Sequence, residues 1–494
     1  MSFVKQLLAL LSPAERIRAS LLMGMVLVMA FLDMLGTASI LPFMAMLANP
    51  EVVETDRFLR LAFAVSKNFG VETRNEFLFF LGVLLFAVFI ASLAFKALTI
   101  YAQTRFAMMR EYSIGKRLMD CYIHQPYSWF LSRNSSDLEK TILSEVNAVI
   151  VYGLSPLMTV VAQSAVVAAL LILLLIVDPI LALSIGVTLG LAYGVVFASV
   201  SGWLKRLGQV RVKANQERFA AVSEAFGSLK EMKVSGLEDA CLRRFSVPAE
   251  KFAKGQATAA VLGRLPRYAL EAIAFGGMLL VVLYLMARTS SFLSALPIIA
   301  LYAFAGYRLM PALQQIYSAL TQLRFSAPAL YALHKDLIGL QGTNAQSVCV
   351  PPLRLKEAIR LQRVSYTYPN APHASVEGLD LTILAQNTVG LVGVTGSGKT
   401  TVADLILGLL EPQEGSLLVD GRPITTANRA GWQRAIGYVP QHIYLIDNSV
   451  AANIAFGIGA QDIDQEALIR AAKIANIHDF VINQLPEGYA TRVG

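Results

Sequence analysis

Hydrophobic residues are concentrated in long stretches over the first two thirds of the chain. Six of these stretches are long and apolar enough to cross a bilayer core, and they lie near 20–48, 77–101, 150–177, 179–200, 266–287 and 292–314. A helix needs about 20 residues for such a crossing. From Ile359 onward the pattern changes to short alternating strands, with turns at Pro369-Asn370 and Asp420-Gly421. The chain is therefore predicted to contain an all-α transmembrane domain of six helices, followed by an α/β domain.

Polar breaks between these patterns predict the domain boundaries. The short run Leu7–Leu11 is followed at once by Ser12-Pro13-Ala14-Glu15, in which Ser12 can cap a helix and Glu15 can complete a capping box. This arrangement is typical of a helix start and not of a signal peptide. We therefore expect an N-terminal interfacial helix in 1–19, the six-helix transmembrane domain in 20–340, a linker in 341–358 and the α/β domain in 359–494.

Composition and charge favour a membrane protein. The sequence is 55% hydrophobic and only 15% charged, whereas soluble proteins carry about 25% charged residues. Its net charge of +8 includes six basic residues in 102–149 and twelve in 201–265, while the turn at 178–179 has none. Because basic loops stay on the cytoplasmic side, we expect a multi-pass protein of the cytoplasmic (inner) membrane, with the N-terminus and the α/β domain in the cytoplasm. The basic loops account for the charge without a nucleic-acid partner.

The predicted external loop, 49–76, has an amphipathic pattern. One helical face carries Phe58, Leu61, Val65 and Phe69. Leu59 and Phe63 interrupt the opposite, polar face. This segment could therefore lie on the outer leaflet of the membrane or pack against the first two spans.

The stretch Thr388–Thr401, TVGLVGVTGSGKTT, has the pattern of a short apolar strand, a glycine-rich loop and a helix start. It fits G-x-x-x-x-G-K-[ST], with Gly393, Gly398, Lys399 and Thr400 at the fixed positions. Glycines permit the tight turn that lets consecutive backbone N–H groups converge on phosphate oxygens. Lys399 can reach the outer phosphates, and the Thr400 hydroxyl can ligate Mg²⁺. The stretch therefore predicts a nucleotide site.

Motifs around this loop make the chain resemble the ABC exporters. Val364–Pro369 looks like the A-loop, in which Tyr368 would stack on adenine, and Gly437–Gln441 is similar to the Q-loop. The resemblance implies a half-transporter that pairs with a second copy as a homodimer, and an ATPase that uses ATP and Mg²⁺. The ATP-binding residues that it implies are Tyr368, Gly393, Thr395, Gly396, Ser397, Gly398, Lys399, Thr400, Thr401 and Gln441, with Thr400 and Gln441 as the Mg²⁺ ligands.

The resemblance also implies that part of the machinery lies outside these residues. In the family, Thr491–Gly494 would lead directly into the LSGGQ signature, with the Walker B strand and the switch histidine after it. No catalytic residue is therefore assigned, and the general base is expected to lie beyond Gly494. We expect 359–494 to be the N-terminal part of a truncated α/β P-loop nucleotide-binding domain that does not hydrolyse ATP alone.

Within the superfamily, the fifth and sixth predicted spans most resemble bacterial flippases for lipid-linked oligosaccharides. The segments on which this resemblance rests are Pro266–Glu271 and Tyr307–Pro311, with a weaker match at Phe95–Leu98. They place Arg267, Arg308 and Lys96 in otherwise apolar spans, where a charge usually marks a pathway or a partner. The resemblance implies that these three residues face a substrate cavity, where arginine can bind a lipid pyrophosphate through paired hydrogen bonds.

Two of these charged residues could have a purely structural role instead. Lys96 could extend to the inner interface of the membrane, and Arg267 could pair with Glu271 four residues later. Arg308 has no such partner nearby in the sequence. Asp33, in the first predicted span, has no assigned role.

Together these patterns predict an ATP-driven ABC transporter that flips or exports a lipid-linked (oligo)saccharide across the cytoplasmic membrane. Its partners would be a second copy of the chain, a lipid-linked anionic substrate and the lipid bilayer. Two alternatives are left open by the sequence. One is an ABC exporter of another lipid, a peptide or a drug, and the other is a membrane-tethered ATP-binding regulator that transports nothing.

Overall fold

The computed structural model describes residues 3–48, 57–67, 73–265, 292–340, 351–369, 371–441 and 443–493, with the single residues 53, 71, 268, 271, 276, 279 and 283. The chain divides into two compact units, Met1–Ser347 and Val348–Gly494. We call them the N-terminal unit and the C-terminal unit. The division between them falls inside the predicted linker, 341–358.

Long helices dominate the N-terminal unit. In chain order they are α1 (Phe3–Leu10), α2 (Pro13–Ala38), α3 (Ile40–Ala48), α4 (Arg57–Ser66), α5 (Arg74–Ile123), α6 (Tyr127–Phe130), α7 (Ser135–Val177), α8 (Pro179–Gly227), α9 (Leu229–Ser235), α10 (Glu238–Arg264) and α11 (Phe292–Leu340). α5, α8 and α11 contain 50, 49 and 49 residues. At about 1.5 Å per residue each is about 75 Å long, more than twice the thickness of a bilayer core.

Four helical stretches in the described residues are long and apolar enough to cross a membrane, namely Pro13–Leu47, Arg74–Ile123, Ser135–Val177 and Pro179–Gly227. They contain the first four predicted spans. The predicted fifth span, 266–287, lies mostly outside the described residues, and the predicted sixth forms the first part of α11. The prediction of a helical transmembrane domain is confirmed, whereas its count of six transmembrane helices is not.

The start of α2 has the predicted capping chemistry. The Ser12 hydroxyl accepts a hydrogen bond from the Glu15 backbone N–H, and the Glu15 carboxylate accepts one from the Ser12 N–H. Thr73 and Glu76 make the same reciprocal pair at the start of α5. Each such cap stabilises its helix by about 1 kcal/mol, so both long apolar helices have a defined first residue.

Two buried apolar clusters hold the long helices together. One joins α5, α7 and α11 through residues such as Leu118, Val149 and Leu330, and α1 adds Leu7. The other joins α2, α7 and α11 and includes Val26 and Leu301. α2, α7 and α11 each contribute buried residues to both clusters, so they form the centre of the N-terminal unit.

α7 contains two π-helical turns, Thr141–Glu145 and Ile150–Leu154. The first turn ends at Glu145, whose carboxylate accepts 2.7 Å hydrogen bonds from Arg211 Nη2 and Asn215 Nδ2 of α8. Arg211 is 2% exposed and Glu145 is 3% exposed. If α7 and α8 moved apart, each of these buried charges would lose its partner, which is unfavourable. This contact therefore holds α7 against α8.

Helix α4, in the loop predicted to be external, has one packed face and one exposed face. Leu59 is buried, and the Phe63 ring packs edge-on against Phe77 of α5 with centroids 5.0 Å apart. Leu61 and Val65, on the predicted apolar face, are exposed. The residues that interrupt the polar face are therefore the ones that pack α4 against the second predicted span.

The C-terminal unit is built on an antiparallel sheet. Strands β1 (Ala358–Tyr366), β2 (Val376–Leu384), β3 (Glu414–Val419) and β4 (Arg422–Pro423) lie in the order β2-β1-β3-β4. A separate pair joins β5 (Asn448–Ser449) to β6 (Arg492–Val493). The helices of this unit are α12 (Lys399–Ile406), α13 (Arg429–Gln433), α14 (Val450–Ile454), α15 (Gln465–Ile474) and α16 (His478–Gln484).

The predicted turn at Asp420-Gly421 is confirmed, and it also fixes the start of β1. Both residues have positive φ, 49° and 75°, as a two-residue hairpin turn requires. The Asp420 carboxylate accepts hydrogen bonds from the backbone N–H groups of Lys356, Glu357 and Ala358. These N–H groups, that of Glu357 above all, lower the pKa of Asp420.

The strand predicted at the start of Thr388–Thr401 is not formed. Residues 388–394 have no β pairing with any described residue, and Val392 and Val394 are 97% and 80% exposed. An isolated extended segment cannot satisfy its N–H and C=O groups in a ladder. Its apolar composition is therefore that of a strand, while its conformation here is irregular.

Candidate functional site

The glycine-rich loop turns into α12 through two left-handed residues. Gly396 and Gly398 have φ of +86° and +83°, and Gly398 caps the helix. A Cβ on Gly398 would lie 2.4 Å from the Ser375 carbonyl oxygen, and a Cβ on Gly393 would lie 2.5 Å from Ser397 Oγ. Only glycine permits this backbone approach together with this φ, so the loop forms the tight cradle that its sequence predicts.

The Lys399 side chain folds back over this loop. Its ammonium donates to the carbonyl oxygens of Gly393 and Val394 at 2.9 and 2.8 Å and to Ser397 Oγ at 3.4 Å. The three N–H donors of an ammonium group are therefore directed into the loop. This places the positive charge of Lys399 inside the cradle.

Tyr368 lies beside the helix that follows the loop. Its hydroxyl and that of Thr401 are 3.3 Å apart, and its ring packs edge-on against Tyr366. Thr401 is 4% exposed, whereas Thr400 is exposed. The two threonines therefore divide their roles: Thr401 positions Tyr368, and Thr400 leaves its hydroxyl available to a ligand.

An apolar core supports α12 from behind. Val402 and Leu405 are buried with residues of β1, β2 and β3. The Trp432 indole donates to the Ile406 carbonyl oxygen at 2.7 Å, which ties α13 to the end of the loop helix. Burial also raises the pKa of the Asp404 carboxyl. The helix that follows the loop, α12, is therefore held firmly against the sheet and α13.

The remaining residues of the predicted site are exposed. Thr395, Gly396 and Ser397 form the exposed tip of the loop, and Gln441 is exposed in an irregular segment. The arrangement fits nucleotide phosphates because it offers a glycine cradle, an ammonium group inside it and an exposed threonine next to it. Mg²⁺ ligation by Thr400 and Gln441 stays a prediction.

A matched pair of glycine variants tests the cradle. Gly396→Ala and Gly398→Ala both force a side chain into positive φ, but nothing lies within 4 Å of a Cβ on Gly396, whereas Gly398→Ala meets a backbone oxygen. We expect Gly396→Ala to weaken ATP-analogue binding by about 5–30-fold, which corresponds to the cost of φ strain alone. Gly398→Ala must displace the loop and should weaken binding at least about 100-fold.

Titration of a fluorescent ATP analogue against purified protein measures both values. Gly457→Ala, at another glycine of positive φ in open space, controls for strain outside the loop. Equal losses for Gly396→Ala and Gly398→Ala would contradict the assigned geometry.

A second site lies among the apolar helices of the N-terminal unit and is centred on Asp33. Arg308 Nη1 lies 2.5 Å from Asp33 Oδ1 and also donates to the Asp33 carbonyl oxygen at 3.2 Å. Ser92 Oγ donates to Oδ1 at 2.9 Å, and Lys96 Nζ lies 3.7 Å from Oδ2. Asp33 is 2% exposed. We call Asp33, Lys96 and Arg308 the charge cluster.

The charge cluster carries more positive than negative charge. One carboxylate faces one guanidinium and one ammonium, which leaves a net charge of +1 among these described side chains. The Arg308 guanidinium also lies 5.5 Å from the ring centroids of Phe89 and Phe304, and aromatic faces attract cations. Asp33 alone therefore does not neutralise the cluster.

The structure brings two of the three predicted cavity residues together. Lys96 and Arg308 both contact Asp33, a residue to which the sequence alone assigned no role. Asp33 and Arg308 are 275 positions apart, so no local spacing rule could join them. Opposite charges in separate apolar spans are the one sequence signal for such a pair. Arg267 lies outside the described residues.

Comparison with protein families finds two matches to the chain. A family profile described as "ABC transporter transmembrane region" matches residues 27–312. A second profile, described as "ABC transporter", matches residues 376–494 and so includes the glycine-rich loop.

Curated relatives include two proteins named "ATP-dependent lipid A-core flippase". The one from Cupriavidus metallidurans is 28% identical over 382 residues, which cover 76% of this chain and 63% of the relative. The one from Ralstonia nicotianae is 27% identical over 402 residues, covering 77% and 64%. The chain thus spans slightly less than two thirds of the length of these relatives.

A solved structure shares the fold. It is described as a bacterial Atm1-family ABC exporter with ATP bound, and it superposes with a TM-score of 0.72 at 19% sequence identity. The match covers 97% of this chain and 80% of that one.

Proposed function

The chain belongs to the ABC transporter family, and from this premise we propose that it is half of an ATP-driven flippase for a lipid-linked (oligo)saccharide. The cargo would cross from the cytoplasmic to the outer face of the inner membrane. The observation that carries this proposal is the charge cluster, Asp33, Lys96 and Arg308, within apolar helices. The nucleotide-binding fold supports an ATP-driven step, and the cluster supports an anionic cargo.

The net positive charge of the cluster favours an anionic headgroup. A charge in an apolar span costs several kcal/mol unless it is paired, and Asp33 can neutralise only one of its two cationic partners. A phosphate oxygen supplies the missing negative charge, and a guanidinium matches phosphate through parallel hydrogen bonds. Relatives named lipid A-core flippases add support for a lipid cargo.

The glycine-rich loop supplies the ATP-dependent part of the proposed mechanism. Backbone N–H groups at 394–398 and the Lys399 ammonium would bind the phosphates, and Thr400 would hold Mg²⁺ with Gln441. Tyr368 would stack on the adenine. The chemistry that Mg²⁺ would supply when held there is neutralisation of charge on the reacting phosphates.

Two copies would pair around their nucleotides, and the domain closure would open the cavity outward. Hydrolysis would then reset the transporter. No described residue is assigned as the general base.

ATPase stimulation tests the cargo. The full-length protein in proteoliposomes should hydrolyse ATP faster when polyprenyl-pyrophosphate-linked glycan is added. Arg308→Ala should raise the half-stimulating lipid concentration about 10–100-fold, because a hydrogen bond to a charged group contributes about 1.5–3 kcal/mol. This variant leaves Asp33 paired with Lys96, so it should destabilise the protein less than removal of Asp33 does.

Arg206→Ala is the matched control, because Arg206 is an exposed arginine of α8 away from the cluster. It should leave the half-stimulating concentration unchanged within about 2-fold. Absence of stimulation in the parent protein, or full stimulation of Arg308→Ala, would argue against the flippase proposal.

A further inference from the structure

A polar pocket adjoins the charge cluster between α2, α5, α7 and α11. Its volume is about 200 Å³, and its polar lining consists chiefly of Lys96, Gln103, Thr104, Thr159, Gln163 and Gln315. Lys96, Gln103 and Thr104 are spaced at i, i+7 and i+8, so they share one face of α5. This row of polar side chains is placed on a helix that is otherwise apolar enough to cross a membrane.

The glutamines of this pocket differ in how their side-chain amides are hydrogen-bonded. Gln163 Nε2 donates to Gln315 Oε1 at 2.8 Å, which joins α7 to α11 across the pocket. Gln103 Nε2 is buried and has no hydrogen-bond partner among the described residues. A buried amide donor without a partner is unfavourable, so a ligand that accepts its hydrogen bond is stabilised there.

Lys96 links the pocket to the charge cluster. Its ammonium lines the pocket, and its contact with Asp33 is long, at 3.7 Å. Its side chain is 34% exposed, against 11% for Arg308. Arg308 therefore remains the close partner of Asp33, while Lys96 can turn toward a ligand without leaving Asp33 uncompensated.

We propose that this pocket binds the phosphorylated sugar unit next to the lipid, with the phosphate at Lys96 and the sugar hydroxyls at Gln103, Gln163 and Gln315. Among the described residues that line the pocket, Lys96 alone is charged. One cation and several amides suit one phosphate and an uncharged, hydroxyl-rich group. A second phosphate would lie outside the pocket, where Arg308 is the other cation of the charge cluster. This inference rests on the proposed function and adds to it a specific subsite.

The size of the pocket supports the same occupant. Pockets that bury a whole drug-sized ligand hold about 300–1,000 Å³, whereas this one has about 200 Å³. It therefore has room for one small polar group and leaves the rest of a glycan outside. The subsite recognises the first sugar, and not the length of the oligosaccharide.

Two lipids of equal chain length test this assignment in the full-length protein, polyprenyl phosphate and polyprenyl-phosphate hexose. Both carry the phosphate, and only the second carries hydroxyls for the amides. Gln103→Leu should weaken binding of the hexose lipid about 5-fold, because it removes a hydrogen bond, and should leave polyprenyl phosphate within about 2-fold. Lys96→Gln should weaken binding of both lipids about 10-fold.

Gln314→Leu is the control, since Gln314 neighbours Gln315 on α11 and does not line the pocket; both affinities should be unchanged. Gln103→Asn retains the amide and should recover part of the hexose affinity, which separates a lost hydrogen bond from misfolding. If Gln103→Leu weakens both lipids equally, or neither, the subsite is wrong while the flippase proposal stands. If the parent protein binds neither lipid but is stimulated by polyprenyl-pyrophosphate-linked glycan, only the subsite is wrong; without that stimulation, both proposals are wrong.

Discussion

Replacement of Lys399 by alanine is expected to lower the ATPase rate of the full-length transporter at least about 100-fold. The Lys399 ammonium is the positive side chain directed into the loop, where it contacts the carbonyl oxygens of Gly393 and Val394. A preorganised charge that stabilises a reacting group contributes about 100–1,000-fold to the rate. The variant also loses three hydrogen bonds of the loop, so weaker nucleotide binding should accompany the lower rate.

Phosphate release from purified Lys399→Ala, over a range of ATP concentrations, measures the rate and the affinity separately. Lys473→Ala is the control, because Lys473 is an exposed lysine of α15, and it should retain the parent rate within about 2-fold. A Lys399→Ala rate within 3-fold of the parent would remove Lys399 from the proposed mechanism.

Replacement of Asp33 by alanine is expected to destabilise the protein by about 3–5 kcal/mol, because removing one member of a buried ion pair leaves uncompensated charge. Here Arg308 and Lys96 would both lose their shared partner and repel each other. Arg308→Ala should cost less, since it leaves the neutral pair of Asp33 and Lys96. The three charged residues therefore differ in their effect on stability, and we expect the replacement of Asp33 to destabilise the protein most.

Thermal unfolding in detergent and the fraction of monodisperse protein measure this effect. Asp120→Ala, at an acid whose side chain is 68% exposed, should change the stability by less than about 0.5 kcal/mol. The double variant Asp33→Ala/Arg308→Met should recover about 1 kcal/mol or more relative to Asp33→Ala, because contacting residues are coupled. If Asp33→Ala is as stable as the parent protein, the charge cluster does not hold these helices together.

The sequence predicted the tight turn of the glycine-rich loop because the signal for it is local. Gly393, Gly398 and Lys399 are close together in the chain, and each residue type has a steric or electrostatic reason at its position. The structure adds what spacing could not show, namely that a Cβ at Gly398 would meet the Ser375 carbonyl oxygen. Ser375 immediately precedes β2 and is distant from the loop in sequence, so only the folded chain reveals this constraint.

The charge cluster was predicted only in part because its signal is distributed along the chain. Lys96 and Arg308 were recognised as costly charges in apolar spans, but their partner Asp33 is 63 and 275 positions away. Periodicity gives the face of one helix and does not say which helices are neighbours. The pairing of Glu145 with Arg211 escaped prediction for the same reason, since it joins two helices 66 positions apart.

The prediction of a strand at the start of Thr388–Thr401 was wrong for a different reason. Val389, Leu391 and Val392 have strand-forming composition, but a strand requires a hydrogen-bonding neighbour as well as an apolar sequence. No described residue pairs with this segment. Composition predicts what a segment can form, and pairing decides what it does form.

The buried contact of Glu145 with Arg211 has a mechanical consequence for α8. Arg211 lies 32 residues from the start of this helix and 16 from its end, so at about 1.5 Å per residue the contact divides α8 into arms of about 48 and 24 Å. A rigid α8 that tilts about this contact is a lever with its fulcrum at Arg211. Any displacement of the short arm at Gly227 is then doubled, in the opposite direction, at Pro179.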